Sequence, residues 1–165
     1  MSEFKLTREI IDRSSAGTWD EARMEWTLHE VYESDEPDTC LCGHNPIIEL
    51  CILRNRTNRV FATVGNCCVK KFIGLPSDLI FQAGKRVSAD AGRSLNAEAI
   101  SHAFEKGWID EWERDFYTNV MRKRRLSTRQ RAQKVRINLV FVAQMKLAAQ
   151  RAGASAAAAA PIGNH

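Results

Sequence analysis

The stretch CLCGHNPIIELCILRNRTNRVFATVGNCCVKKF, residues 40–72, decides the reading of this chain. It opens on a knuckle, Cys40-Leu41-Cys42-Gly43-His44, and passes Pro46 into a β-rich run over residues 47–53. Turn residues from Asn55 to Asn58 predict a reversal, and a second β-rich run covers residues 59–64. Gly65-Asn66 then starts a helix that carries Cys67, Cys68 and Phe72, with Asn66 as its expected N-cap and Gly74 and Pro76 as its end. Knuckle, hairpin and a cysteine-bearing helix N-terminus follow one another in the order of a treble clef.

Structural zinc takes four thiolate or imidazole ligands in a tetrahedron. All five cysteines crowd between Cys40 and Cys68, an odd number in a cluster, which in a reducing compartment points to metal before disulfides. With the hairpin turn centred near Thr57, paired positions sum to about 114, placing residue 46 opposite Cys68 and Cys51 opposite Thr63. The knuckle residues Cys40, Cys42 and His44 therefore return to the helix start, and Cys51 lies partway along the hairpin. A helix N-terminus favours thiolate through its exposed amides and dipole. The expected set is Cys40, Cys42, His44 and Cys68, with Cys51 and Cys67 as alternates, around one Zn2+ per chain. Iron at a four-cysteine site would need Cys51 or Cys67. The competing reading makes these ordinary buried cysteines, since the usual knuckle has two residues between its cysteines and this one has one.

At Cys40, Cys42, Gly43, His44, Asn55, Val64, Gly65, Asn66, Cys68, Val69 and Phe72 the chain resembles a zinc-ribbon-like family scattered through bacteriophages, plasmids and some large viruses. The likeness covers roughly residues 22–80. It implies metal binding with Cys68 preferred over Cys67, and it brings no biochemical activity with it. The later run Trp108-Ile109-Asp110-Glu111-Trp112-Glu113, with Phe116, Leu126, Ser127 and Gln130, is similar to a paired-helix pattern seen beside nucleic-acid-processing modules of phage-like proteins.

Outside the knuckle the punctuation is mostly helical. A short helix is expected around residues 7–13, and Thr18 with Glu21 has the spacing of a capping box. Residues 25–33 fit a strand or a helix, and the acidic, proline-containing residues 33–38 read as a turn. Ser77 and Asn96 are candidate N-caps, Gly107 is a C′ glycine, and Ser127 with Gln130 forms another capping box at the head of a long helix through residue 150. Ile109, Trp112, Phe116 and Val120 form a helical stripe expected to face a core. The fold class is α+β: a small treble-clef-like zinc β-hairpin and helix with a mainly helical C-terminal half. The expected divisions are an acidic segment over residues 1–39, the zinc module over 40–75, a helical basic region over 76–151 and a flexible tail over 152–165.

Net charge is only +4, but it is unevenly spread: residues 1–39 hold four Lys/Arg against eleven Asp/Glu, and residues 122–151 hold ten Lys/Arg and no acid. Arg122, Lys123, Arg124, Arg125, Arg129, Arg131, Lys134 and Arg136 could neutralise phosphates without reading sequence. The bland alternative is a solvated face, or partners for the acidic segment. No glycine-rich phosphate loop or nucleophile elbow is present, and His29, His102 and His165 sit beside no catalytic motif, so an enzyme is not expected. A metal-dependent nuclease built on the treble clef is the enzymatic alternative. The functional expectation is a cytoplasmic, zinc-binding nucleic-acid accessory protein of a mobile element, with DNA and RNA equally open. Its rival is a module that binds and redirects a host protein, with zinc purely structural. No apolar run approaches a membrane span, and the apolar length of residues 135–147 leaves room for a homodimer through the final helix.

Overall fold

The computed structural model describes residues 2–159. Helix α1 (Glu3–Asp12) begins at Ser2, whose hydroxyl caps the Lys5 N–H at 3.1 Å, and buries Leu6 and Ile10. A short turn α2 (Trp19–Ala22) follows, with the Thr18 hydroxyl donating to the Glu21 carboxylate rather than capping the backbone. The chain then enters a three-stranded antiparallel sheet of order β1 (Trp26–Asp38), β2 (Ile47–Asn55) and β3 (Phe61–Gly65).

The hairpin of residues 47–65 is therefore the second and third strand of a larger sheet, not a free-standing pair. The ambiguity over residues 25–33 resolves as strand. The expected turn at residues 33–38 is instead the far end of β1: Asp38 still pairs with Ile47 after an irregularity beyond Glu33. An edge strand accepts Pro37, whose missing N–H can face away from the ladder. A one-residue bulge at His29, between the pairs Leu28–Leu53 and Glu30–Ile52, adjusts the register.

The β2–β3 register is one residue from expectation. Cys51 faces Val64 and Leu50 faces Gly65, because the Asn55 N–H bonds the Val60 carbonyl at 2.8 Å and so closes the reversal around residues 56–59. Asn55, fully buried, accepts from the Thr57 and Asn58 N–H groups and donates to Glu25 at 2.6 Å, fixing the turn from inside. Arg59 takes the left-handed conformation (φ 64°) that completes it.

After β3, α3 (Asn66–Cys68) runs into a π-helical turn over Val69–Ile73 that ends on left-handed Gly74 (φ 80°). Helices α4 (Ser77–Ala89), α5 (Ala97–Glu105), α6 (Glu111–Val120) and α7 (Thr128–Ala159) complete the fold. Asn96 caps α5 through the Ala99 N–H, and Ser127 and Gln130 form the reciprocal capping box at the start of α7. Asn66 and Ser77 are not caps: each side chain serves the buried link described below.

The stripe of α6 is rotated from expectation. Tyr117 is fully buried and Val120 nearly so, while Trp112 is 62% exposed and stacks on Phe116 with ring centres 5.5 Å apart. Helix α7 lays Ile137 and Phe141 into the main core, with Phe141 against Trp108 and beside Gly84, and Ala148 against the sheet. Leu139 and Leu147 stay exposed. The tail expected from residue 152 is helical through Ala159, and residues 160–165 lie outside the described residues. Among the described residues, no helix is long and apolar enough to cross a membrane.

Candidate metal centre and basic face

The sulfurs of Cys40, Cys42 and Cys68 lie within 4.8 Å of one another, and all three residues are buried. Two segments bring them together. In the knuckle, Gly43 takes a positive φ of 89° and donates to the Cys40 carbonyl at 2.7 Å, while the Cys40 N–H returns to the His44 carbonyl at 2.9 Å. That turn aims both sulfurs at the start of α3, which presents Cys68.

Backbone donors already face two of the sulfurs. Cys40 Sγ accepts from the Gly65 N–H at 3.2 Å, and Cys42 Sγ from the His44 N–H at 3.4 Å. Burial raises the Cys40 thiol despite its donors, and burial together with its thiol neighbours raises Cys68 further. Burial opposes ionisation of Cys42 as well, but the His44 N–H and the adjoining thiols outweigh it and lower that thiol. Three sulfurs this close cannot all carry charge without a cation between them, and a divalent metal reverses that balance by binding thiolate.

The donor set fits zinc. Zn–S bonds of ~2.3 Å place tetrahedral sulfurs ~3.8 Å apart, inside the span of the trio. No chelating acid belongs to the cluster. The His44 ring is exposed and outside the trio, although His44 lines the same hollow of about 280 Å³ as Cys40, Cys67 and Cys68. Cys67 is exposed beside it. Cys51 is fully buried between Val31 and Val64 in the sheet, where burial pushes its thiol up to about 12, so it behaves as a small apolar core residue.

A supporting layer holds these segments. Asn66, 5% exposed, donates to Glu49 at 2.8 Å and Asp78 at 3.3 Å and accepts from the Ser77 hydroxyl at 2.7 Å, tying α3 to β2 and α4. A Cβ on Gly65 would stand 3.2 Å from Ile47 Cδ1 and 3.5 Å from Cys40 Sγ, so glycine keeps β3 close to the knuckle. Helix α1 backs the site from the other side: a Cβ on Gly43 would meet Lys5 Nζ at 3.1 Å, and the Ser2 backbone contributes to lowering Cys42. The helix expected around residues 7–13 is α1, but its place beside the site was not legible in sequence, because only the packed chain brings residues 2–5 against residues 42–43.

The eight basic residues divide. Arg122, Lys123, Arg124 and Arg125 lie in the α6–α7 turn, with Arg129 and Arg131 in the first turn of α7; all six are exposed. Arg136 pairs with Glu113 at 2.7 Å, and Lys134 is buried. From Arg122 to Lys134 no cation lies within 4 Å of a carboxylate among the described residues. The acids of residues 1–39 instead serve local cations, as in Glu9–Arg13 and Asp20–Arg23, or Lys85, Lys106 and Arg151 through Glu33 and Glu30.

Comparison with family models, curated proteins and solved structures finds no match to this chain.

Proposed function

We propose that this chain is a zinc-binding, non-enzymatic nucleic-acid-binding accessory protein of the kind carried by phages and plasmids. Cys40, Cys42 and Cys68 hold one Zn2+, with His44 swinging from the rim of the hollow as fourth ligand. The metal fastens the knuckle to α3; the basic α6–α7 turn makes the contact. The observation that carries the reading is the pairing of a buried three-cysteine cluster with a run of exposed cations that no carboxylate neutralises among the described residues. Unpaired cations on one turn and the adjoining helix gain affinity for a phosphate backbone by counterion release.

Elemental analysis of freshly purified protein, run beside oligonucleotide titrations at two salt concentrations, tests both halves. One zinc per chain and steeply salt-sensitive binding are expected. Charge reversal of Arg124, Arg125 and Arg129 together should weaken binding at least ~100-fold at low salt. Full affinity in that variant would remove the nucleic-acid half, and absence of metal would remove the zinc half.

A second reading rests on the outer end of β1, where Glu33, Asp35, Glu36 and Asp38 are exposed on an edge strand. That acidic edge suits a basic protein surface, in which case zinc serves shape alone. Retention of one defined protein partner after nuclease treatment, with no oligonucleotide binding, would favour it.

A further inference from the structure

One face of the sheet is built from three cross-strand rows: Tyr32–Leu50–Gly65, Glu30–Ile52–Thr63 and Thr27–Arg54–Phe61. Residues directly opposite one another in paired strands project to the same side. Helix α7 covers the first row and reaches the second: Ala148 packs with Tyr32 and Leu50, and Ile52, Ala149 and Ala152 lie around them. The third row is left open. Phe61 is 51% exposed, and Thr27 and Arg54 are partly exposed. An aromatic ring on a sheet face ordinarily packs into a core, as Tyr32 does two rows away.

The bulge at His29 adds a second ring to this row. Its imidazole meets Phe61 in a T-shaped contact, with ring centres 5.0 Å apart and 60° between the planes. Phe61 is thus held from one side, and half of it still reaches solvent. The charges around the pair are mostly positive. Burial lowers the His29 pKa, and Lys106, Arg54 and Arg151 lower it further against Glu30 alone. Glu30 is already held by Lys106 at 3.0 Å and Arg151 at 3.5 Å. Arg54 meets no carboxylate within 4 Å among the described residues, and neither do the exposed Arg56 and Arg59 of the adjoining reversal. Glu25, which braces that reversal, turns its carboxylate to Asn55 and to the Ser15 and Ala16 N–H groups.

We propose that the open row of the sheet, Phe61 with His29 and Arg54, is a stacking platform for a base of single-stranded nucleic acid. This rests on the reading of the basic end as a nucleic-acid face and adds to it a second contact, one that senses bases. Helix α7 links the two, running ~30 Å from Thr128 beside the basic turn to Ala148 on the sheet. Every base has a π-face, so an exposed ring binds it without reading sequence, and the arginine takes an adjoining phosphate. Bases inside a duplex are stacked on one another, so only a single strand can offer a free face. An acidic peptide would satisfy the cations but bring no flat surface to Phe61, which favours the nucleic acid.

The test titrates the full chain, with its metal, against a labelled single strand of about 15 nucleotides, its duplex, an abasic strand of the same length and polyglutamate of matched charge. Phe61→Ala should bind the single strand about tenfold more weakly with its salt dependence unchanged, and Phe61→Tyr should keep the affinity. Arg54→Gln should lower the affinity and shrink the slope of log affinity against log salt by about 0.7. It leaves Phe61 in place, so it tests the platform independently of any packing lost in Phe61→Ala. The duplex and the abasic strand should bind wild type and Phe61→Ala alike. Equal single-strand affinity in wild type, Phe61→Ala and Arg54→Gln would overturn the platform while leaving the nucleic-acid reading standing. An equal loss on the abasic strand or the duplex would also overturn it, because no base would then be stacking. Polyglutamate binding that Phe61→Ala weakens by the same factor would overturn it in favour of an acidic protein partner. Binding of no oligonucleotide by the wild type would overturn both the platform and the reading it rests on.

Discussion

The cysteine end and the basic end of this molecule use polar groups in opposite ways. Around the knuckle, nearly every polar side chain the sequence singles out is satisfied from within: Asn55 by Glu25 and its own turn, Asn66 by Glu49, Asp78 and Ser77, and two sulfurs by backbone N–H groups. At the α6–α7 turn the cations have no carboxylate partner among the described residues. Groups committed to fixed geometry are matched inside the fold, whereas the cations of the turn are left unmatched, as the proposed contact with a phosphate backbone requires.

Removal of the proposed zinc gives the largest expected effect, and it should strike one end only. A structural zinc contributes of the order of 10 kcal/mol in apparent folding free energy. A strong chelator, or Cys42→Ser or Cys68→Ser, should therefore release zinc and lower the melting temperature sharply. Hydrogen exchange should accelerate first in residues 40–68. Uniform exchange across α3 and α7, or unchanged metal content in both variants, would break the contrast.

The cysteine end was the more legible of the two in sequence, for a physical reason. Cys40, Cys42, Gly43 and Cys68 are forced by bond lengths and backbone angles, so residue type and spacing carry the geometry. Asn55 and Asn66 were picked out by the same pattern, but as turn and cap residues. Their work is to bond groups 30 and 12 residues away, Glu25 and Asp78, and no local rule encodes that. The far end of β1, residues 33–38, was hidden because acids and Pro37 signal a turn locally, while an edge strand needs only one bonded side. Trp112 was misplaced onto the core side because it and Tyr117 are both large, and only the packed helices show which of them is buried.

His102 tests where the cost of burying polar groups falls between the two ends. It is 4% exposed, sits edge-on to Trp108, and its Nε2 has no partner. Burial, with Lys106 nearby, lowers its pKa to about 4. The unfolded chain then binds a proton that the folded chain refuses between about pH 6.5 and 4, so stability from this group is full above that window and is lost as pH falls through it. The loss approaches about 3 kcal/mol at most. Thermal melts from pH 7 to 4 should show a shallower fall for His102→Leu than for the wild type; parallel curves would place the acid sensitivity elsewhere.

Asn66→Ala probes the supporting layer of the cysteine cluster at smaller size. It strips the bonds to Glu49, Asp78 and Ser77 and leaves a buried hydroxyl without its acceptor, at about 1–3 kcal/mol. Because the same side chain anchors the segment carrying Cys68, zinc affinity should also fall, by roughly 10–100-fold as for other supporting partners of metal ligands. Measured by competition with a chromophoric chelator, an unchanged affinity beside a lowered melting temperature would assign Asn66 to folding alone.

The smallest expected effect is the most discriminating for the basic end. Charge reversal of Arg124, Arg125 and Arg129, the variant that should lose nucleic acid, should leave the melting temperature within the change that about 0.5 kcal/mol produces. Among the described residues none of these side chains meets a carboxylate, and all three are exposed, so the folded state loses no ion pair there, and lowering the local excess of positive charge relieves repulsion. A clear drop in stability would mean that the cations hold the fold together, as the matched groups around the knuckle do. An unchanged melt with lost binding would separate the two ends by a direct measurement: one whose polar groups serve the structure, and one whose charges wait for a partner.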